Sequence, residues 1–121
     1  MTNIYTKTVV LPGAPDIMNA NRHWRYRYGH AKKWKGWIVL AFGGADRPMY
    51  PLHRSRLTLT RCTSVEPDPD NLAACWKPVI DGLREAGVIV NDKSCNVELH
   101  FRWQKAAPGQ KKVIIQVEEL K

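Results

Sequence analysis

The 121-residue sequence lacks a long apolar run, and none of its hydrophobic stretches approaches the roughly 18–20 residues that a helix needs to cross a bilayer. It also lacks a signal-peptide pattern in its first residues, internal repeats and low-complexity linkers. We therefore expect a cytoplasmic protein with one domain over residues 1–121, large enough for a single modest core.

Cysteine is scarce, and the three cysteines, Cys62, Cys75 and Cys95, are odd in number and show no paired spacing. Zinc sites usually draw on closely spaced pairs of cysteine or histidine, so this sequence gives no support for one. We expect reduced thiols, with Cys75 on the apolar face of a helix.

Acidic residues are few, with 11 Asp and Glu against 19 Lys and Arg, which gives a formal charge of +8 and a pI near 9.7. Such a charge favours a polyanionic partner, first nucleic acid and second an anionic membrane surface. Six of the 11 acids nevertheless fall within one short window: Glu66, Asp68, Asp70, Asp81, Glu85 and Asp92.

Carboxylates at close range repel one another, by about 1 kcal/mol for a pair ~4 Å apart in water and by more where solvent is excluded. A bound cation offsets this repulsion, and oxygen-only ligands favour Mg²⁺ or Mn²⁺ over zinc. A basic protein with an acidic window therefore suggests a phosphate-backbone substrate that is met by a metal ion.

Apolar residues recur at intervals of three and four from Leu72 to Ala86, which predicts an amphipathic helix with Asp70 as its N-cap. Pro78 interrupts this pattern. Because proline removes a backbone hydrogen bond and clashes with the preceding turn, we expect a kink near residues 74–77 or a helix that restarts at Pro78.

On a helix with about 100° per residue, Lys77 and Asp81 return to the azimuth of Asp70, with Arg84 close to the same line. Asp92 follows a short apolar run and reaches this polar stripe only if that run folds back. A plainer interpretation is equally available: Asp70 caps a helix, Lys77 and Asp81 form a surface salt bridge, and Asp92 belongs to a turn.

The rest of the chain predicts strands over residues 4–11, 56–65, 96–103 and 112–118, and a first helix over residues 31–42. The resulting order is β-α-β-α-β-β, an α+β fold with a mixed sheet and two helices. Residues 107–110 are expected to form a hairpin between the last two strands, while the order of strands in the sheet stays open.

Arginines alternate with aromatic residues over residues 22–28, inside a predicted loop that spans residues 19–30. This mixture suits contact with a phosphate backbone and stacking on bases, but it also fits aromatic side chains that face inward while the arginines face out. Lysines cluster near the start of the first helix, and this cluster is either a surface that faces DNA or simply a solvated face of the helix. The candidate DNA-binding residues are Arg22, Arg25, Arg27, Lys32, Lys33 and Lys35.

The order Asp68-Pro69-Asp70-Asn71-Leu72, then Lys77, Asp81-Gly82-Leu83, Ala86-Gly87 and Asn91-Asp92, resembles the signature of the RusA-type Holliday junction resolvases. These are small endodeoxyribonucleases of phages and prophages. The segments Leu11–Pro15 and Asn19–Arg22 also resemble the family's entry segment.

The resemblance implies a Mg²⁺-dependent homodimer, with Mn²⁺ as a substitute, that nicks four-way DNA junctions symmetrically in recombination and repair. It implies Asp68, Asp70 and Asp92 as metal ligands and Lys77 as a catalytic residue, with Asp81 and Asn71 in support. It implies no membrane partner, no small-molecule cofactor, and a location in the cytoplasm of a bacterial host.

The sequence departs from the family pattern at two points. The interval from Asp70 to Lys77 is longer by about one helical turn, which keeps the lysine near its helical face. Asn91 stands where the family also has an acid. Two other functions fit the residues: a nuclease for other branched DNA such as flaps, and a non-catalytic nucleic-acid-binding module.

Overall fold

The computed structural model describes residues 4–16 and 24–121. The elements follow in the order β1 (Thr6–Pro12), α1 (Trp24–Phe42), β2 (Ser55–Thr63), α2 (Pro69–Ala74), α3 (Lys77–Glu85), β3 (Val97–Lys105) and β4 (Lys112–Glu119). The α+β fold and the order β-α-β-α-β-β are confirmed, with the second predicted helix divided into α2 and α3. None of the helices in these ranges is long and apolar enough to cross a membrane.

The four strands form one mixed sheet in the order β1-β4-β2-β3. β2 pairs with β3 in parallel and with β4 antiparallel, and β1 pairs with β4 antiparallel. The predicted hairpin between the last two strands is wrong, because β2 lies between them. Parallel pairing of β2 and β3 needs a long crossover, which α2 and α3 supply.

One face of the sheet is covered by α1 and α3, and the side chains between these layers form the core. The contributions alternate along the strands and recur every three or four residues along the helices, as burial on one face requires. The principal core residues are Trp34, Ile38, Phe42, Leu57, Leu59, Val79, Ile80, Leu83, Val113, Ile115 and Val117. This core fixes α3 against both α1 and the sheet.

The predicted interruption of the second helix is confirmed, because α2 ends at Ala74 and α3 begins at Lys77. Trp76 lies at the interruption with its side chain fully buried, so the core holds the break in place. Pro78 falls in the first turn of α3, where its missing N–H costs no helical hydrogen bond.

The prediction of Asp70 as the N-cap is wrong, because α2 begins two residues earlier than the apolar pattern indicates. Asp68 occupies the cap position with φ −60° and ψ 150°, and Pro69 stands in the first turn. Proline is favoured at the first helical position, which explains the shift. The side chain of Asp68 makes no capping hydrogen bond, and Asp70 lies within the first turn.

The predicted loop over residues 19–30 is also wrong where the structure describes it, because α1 already begins at Trp24. The lysines at 32, 33 and 35 therefore lie in the middle of α1. Trp24, Tyr26 and Tyr28 are 59, 42 and 66% exposed, so the inward-facing alternative does not hold for them. Arg22 and the Asn19–Arg22 segment lie outside the described residues.

Gly82 lies where α3 packs tightly against α1. A Cβ atom added at Gly82 would lie 2.8 Å from Cβ of Ile38 and 3.1 Å from the carbonyl oxygen of Lys35. A side chain at this position would therefore push α3 away from α1.

We expect Gly82→Ala to lower the free energy of unfolding by about 1–3 kcal/mol, because overpacking outweighs the better helix propensity of alanine. Gly36→Ala is the matched control, since a Cβ there meets nothing within 4 Å on the exposed side of α1. The control should gain up to about 1 kcal/mol in urea denaturation. Equal stability of the two variants would contradict the close helix packing.

Candidate active site

Lys77 lies between two carboxylates at the start of α3. Its Nζ is 3.2 Å from Oδ1 of Asp81 and 3.9 Å from Oδ2 of Asp92. Nη2 of Arg84 is 3.6 Å from the same oxygen of Asp81. Of the predicted polar line, Lys77, Asp81 and Arg84 are present on α3, whereas Asp70 lies on the separate helix α2 and does not belong to it. The contact with Asp81 is also the surface salt bridge of the plainer interpretation.

Asp92 reaches Lys77 because the apolar run after α3 folds back against the core. Gly87 turns the chain with a φ of +80°, a conformation that glycine adopts without strain. Val88 and Ile89 are then buried, and Leu52 donates its N–H to the carbonyl of Val88 over 2.8 Å. The apolar run after the helix thus folds back, as the prediction that Asp92 returns to the helix required.

Asn91, the neighbour of Asp92, has a local role. Its Oδ1 accepts the backbone N–H of Lys93 over 2.8 Å, a side-chain turn of the type that asparagine commonly forms. Turn formation and the approach of Asp92 to Lys77 occur together, so the turn interpretation of this segment does not compete with a role for Asp92.

Asp68 and Asp70 are exposed at the start of α2. Among the described residues, neither side chain takes part in a hydrogen bond or an ion pair. Within the same ranges, no three side chains of the types His, Cys, Asp and Glu lie close enough together to hold a metal ion. The structure thus places Asp92 beside Lys77, with Asp68 at the cap of α2 and Asp70 in its first turn, and in the described residues it does not bring the three carboxylates into one metal-binding group. The three carboxylates are nevertheless the donor type that Mg²⁺ prefers.

A cavity of about 240 Å³ opens between α1 and the junction of α2 with α3. Its polar lining comes from Arg27, Asn71 and Lys77, together with Asp16 and His30. Residues that the sequence assigns to DNA binding, support and catalysis therefore meet at one concave surface. The arginine, the lysine and the amide in this lining favour an anionic group such as a phosphate, whereas the carboxylate of Asp16 in the same lining disfavours one.

Asp16 and His30 were not predicted as part of the site, because nothing in their sequence spacing links them. The backbone N–H of Asp16 donates to Nε2 of His30 over 2.8 Å, and the Tyr26 hydroxyl donates to the carboxylate of Asp16. The rings of Tyr26 and His30 stack with centroids 5.9 Å apart. Since Nε2 accepts a hydrogen bond, the His30 tautomer assigned by this contact carries its proton on Nδ1.

The other predicted DNA-binding residues have varied surroundings. The guanidinium of Arg25 lies 5.3 Å from the ring centroid of Trp24, and Nζ of Lys33 lies 4.8 Å from that of Trp37. Nζ of Lys35 is 3.1 Å from Oε2 of Glu85. The three lysines at 32, 33 and 35 line a wider depression of about 700 Å³ between α1 and α3, to which α3 contributes Pro78, Asp81 and Glu85.

Buried Arg61 connects the sheet to the segment that carries Asp16. Its guanidinium donates to the carbonyl oxygen of Pro15, which holds the exit of β1 beside the cavity. Cys75 lies in the cavity wall, where burial raises the pKa of its thiol against the opposing effect of the Arg61 charge.

A comparison of the chain with protein-family models finds no match, and neither does a comparison with curated proteins. The resemblance to the RusA-type resolvases therefore rests on the order and spacing of Asp68, Asp70, Lys77 and Asp92 in the sequence.

The three thiols should differ sharply in reactivity. Cys62 and Cys75 are buried and Cys95 is exposed, and the raised pKa of Cys75 further reduces its thiolate fraction at neutral pH. We expect Ellman's reagent to titrate one thiol quickly in the native protein and all three in denaturant. Cys95→Ser should remove the fast phase. A fast phase that persists in this variant would contradict the burial of Cys62 or of Cys75.

Proposed function

We propose that this protein is a Mg²⁺-dependent endodeoxyribonuclease of the RusA type that nicks four-way DNA junctions in recombination and repair. The observation that carries the proposal is the contact between Lys77 and Asp92. It joins two positions of the motif that lie far apart in the sequence. The same proposal includes a cytoplasmic location in a bacterial host and a prophage or phage origin.

The metal ligands in this proposal are Asp68, Asp70 and Asp92, with Mn²⁺ as a substitute for Mg²⁺. When bound, the ion lowers the pKa of a coordinated water and offsets charge on the attacking and leaving oxygens. Asp68 and Asp70 are exposed, and the carboxylate of Asp68 is not used in capping. Their carboxylates are therefore free to coordinate a cation.

Lys77 is the residue that we assign to charge stabilisation at the scissile phosphate. Its side chain is 67% exposed although it contacts two carboxylates, so the ammonium group is accessible to a ligand in the adjacent cavity. Asp81 orients Lys77, and Arg84 offsets part of the charge of Asp81. A positioned cation of this kind stabilises the charge that develops during phosphodiester hydrolysis.

Arg27 faces the same cavity from α1, and Asn71 faces it from α2. We assign to Arg27 the binding of a backbone phosphate, which a guanidinium recognises with two parallel hydrogen bonds. Asn71 contributes an amide that accepts or donates. Hydrolysis would leave a 5′-phosphate and a 3′-hydroxyl, so the nicks would be open to ligation.

A four-way junction has approximate two-fold symmetry, and paired symmetric nicks need two active sites related by the same symmetry. A homodimer with a two-fold axis meets this requirement. The proposal therefore includes a homodimer, with one active site for each of the two nicked strands.

A second candidate is a non-catalytic nucleic-acid-binding module. The salt bridge of Lys77 with Asp81 favours it, because exposed pairs one turn apart are ordinary features of helix surfaces. A synthetic four-way junction incubated with and without Mg²⁺ separates the two, since only the nuclease produces paired nicks. A parallel assay on flaps and plain duplexes separates a junction resolvase from a broader branched-DNA nuclease.

Asp70→Asn should abolish junction nicking and leave junction binding intact or tighter, because the amide removes one negative charge from the metal site without changing its shape. Gel mobility shift and denaturing gels measure the two effects separately. Asp46→Asn is the matched control, as Asp46 is an exposed carboxylate whose partner is Lys7. Normal cleavage by Asp70→Asn would exclude Asp70 from the site.

Lys77→Ala should reduce single-turnover nicking by about 10²-fold, because it removes a positioned positive charge from the transition state. Stability should change by no more than about 1 kcal/mol, since the ion pairs of Lys77 are exposed. Lys7→Ala is a control lysine that also loses a carboxylate partner. An unchanged nicking rate in Lys77→Ala would reduce Lys77 to a salt-bridge residue.

A further inference from the structure

The stretch from residue 99 to residue 117, which includes most of β3, the turn and most of β4, carries positive charge without acidic residues. Between Glu98 and Glu118 the chain contains no Asp or Glu. The basic residues in this interval, apart from one histidine, are Arg102, Lys105, Lys111 and Lys112. Three of them flank the turn that connects β3 with β4.

Lys105, Lys111 and Lys112 are exposed, and no carboxylate forms an ion pair with them in the part of the chain that the structure describes. This differs from Lys35 and Lys77, whose ammonium groups contact Glu85 and Asp81. A cation without an acidic neighbour contributes its whole charge to the surface potential. The turn is therefore a more strongly positive surface than its short sequence suggests.

The backbone of the turn is held at both ends. Ala106 donates its N–H to the carbonyl of Thr63 over 3.0 Å, and the carbonyl of Lys111 accepts the N–H of Gly13 over 3.0 Å. Within the turn, Gln110 donates to Ala107 over 3.0 Å. The lysines are thus presented from a fixed frame, which reduces the entropy that ligand binding would remove from the backbone.

The spacing of the lysines suits an extended anion. Lys105 is in register with Thr63 of β2 and Lys112 with the adjacent residue Cys62, so the two lysines lie on opposite faces of the sheet at the same end of its strands. Because β2 lies between β3 and β4, the two lysines are separated by two strand spacings, about 10 Å. Because their side chains leave opposite faces of the sheet, the two lysines are not arranged to share one small anion, whereas a nucleic-acid backbone that crosses the end of the sheet offers each of them a separate phosphate.

The turn lies at the end of the sheet where β2 finishes, and from there the chain continues towards the candidate active site. Thr63 ends β2, and its Oγ1 accepts a hydrogen bond from Nε1 of Trp103 over 3.0 Å. The same hydroxyl donates to the carbonyl of Val65 over 2.9 Å. Asp68 follows five residues after Thr63, so the two are separated by at most roughly 17 Å of extended chain.

From these observations we propose that Lys105, Lys111 and Lys112 form a second DNA-binding surface, the β3–β4 turn surface, which contacts the phosphate backbone of a double-stranded arm of the junction. The inference rests on the proposed function and identifies where the arm beside the cleaved strand is held. Duplex DNA fits this surface because it carries about one charge per 1.7 Å of its axis, which favours spaced cations without a binding pocket.

The test is the salt dependence of junction binding by the full chain in EDTA, where a Mg²⁺-dependent enzyme does not cut. The variant combines Lys105→Ala, Lys111→Ala and Lys112→Ala. We expect it to lose at least about 10-fold in affinity and to flatten the slope of log K against log salt by up to about 3, since each lost phosphate contact contributes about 0.9.

The matched control combines Arg47→Ala, Arg54→Ala and Lys121→Ala, which remove the same charge from exposed positions. Arg54 and Lys121 lie at the opposite end of the strands, before the start of β2 and after the end of β4. Thermal melting of both variants checks that each is folded, and Lys111→Ala alone serves if the triple variant is not.

An affinity loss confined to the turn variant supports the surface. Equal losses in both triple variants, or no loss in either, overturn it while leaving junction cleavage by the wild type as separate evidence for the nuclease. Weaker binding to phosphatidylserine vesicles with unchanged DNA binding also overturns it. Wild-type protein that neither binds nor nicks a junction would overturn the proposed function and this surface together.

Discussion

The close approach of α3 to α1 at Gly82 determines where the candidate site lies. Only a residue without a side chain allows Ile38 to sit against the backbone of α3 at this point. α3 is therefore held by the core along one face, and its opposite face carries Lys77 and Asp81. Since the chain then turns at Gly87 and runs back along the helix, the position of Asp92 follows from the same packing.

The acidic residues of the window divide into two groups with different electrostatic surroundings. Asp81, Glu85 and Asp92 have a lysine partner, whereas Glu66, Asp68 and Asp70 have none among the described residues. Exposed ion pairs add little to stability, so the first group is not explained by folding alone. The second group would repel an approaching phosphate unless a cation were present, which is the physical reason that the proposed nuclease requires a metal.

The features that the sequence predicted well depend on local chemistry. Pro78 interrupts the second helix, and the apolar run after Gly87 is buried and brings Asp92 back to Lys77. Strand order depends on which strand is most completely buried, and the alternation of residues in the sequence does not reveal this. The position of β2 between β3 and β4 was therefore not predicted. The beginning of α1 was also missed, since it is exposed and lacks an apolar stripe, while Tyr26 contacts Asp16 across the fold.

Clustering of basic residues in a sequence is an incomplete guide to electrostatic potential. The lysines of α1 are adjacent in sequence, but Lys35 pairs with Glu85, and Lys33 lies over the ring of Trp37. Lys105 and Lys112 are separated by a turn, yet the sheet places both at the same end of its strands, without an acidic neighbour in the described ranges. The net charge of +8 is thus distributed by the fold, and part of it lies near the strand end that leads to Asp68.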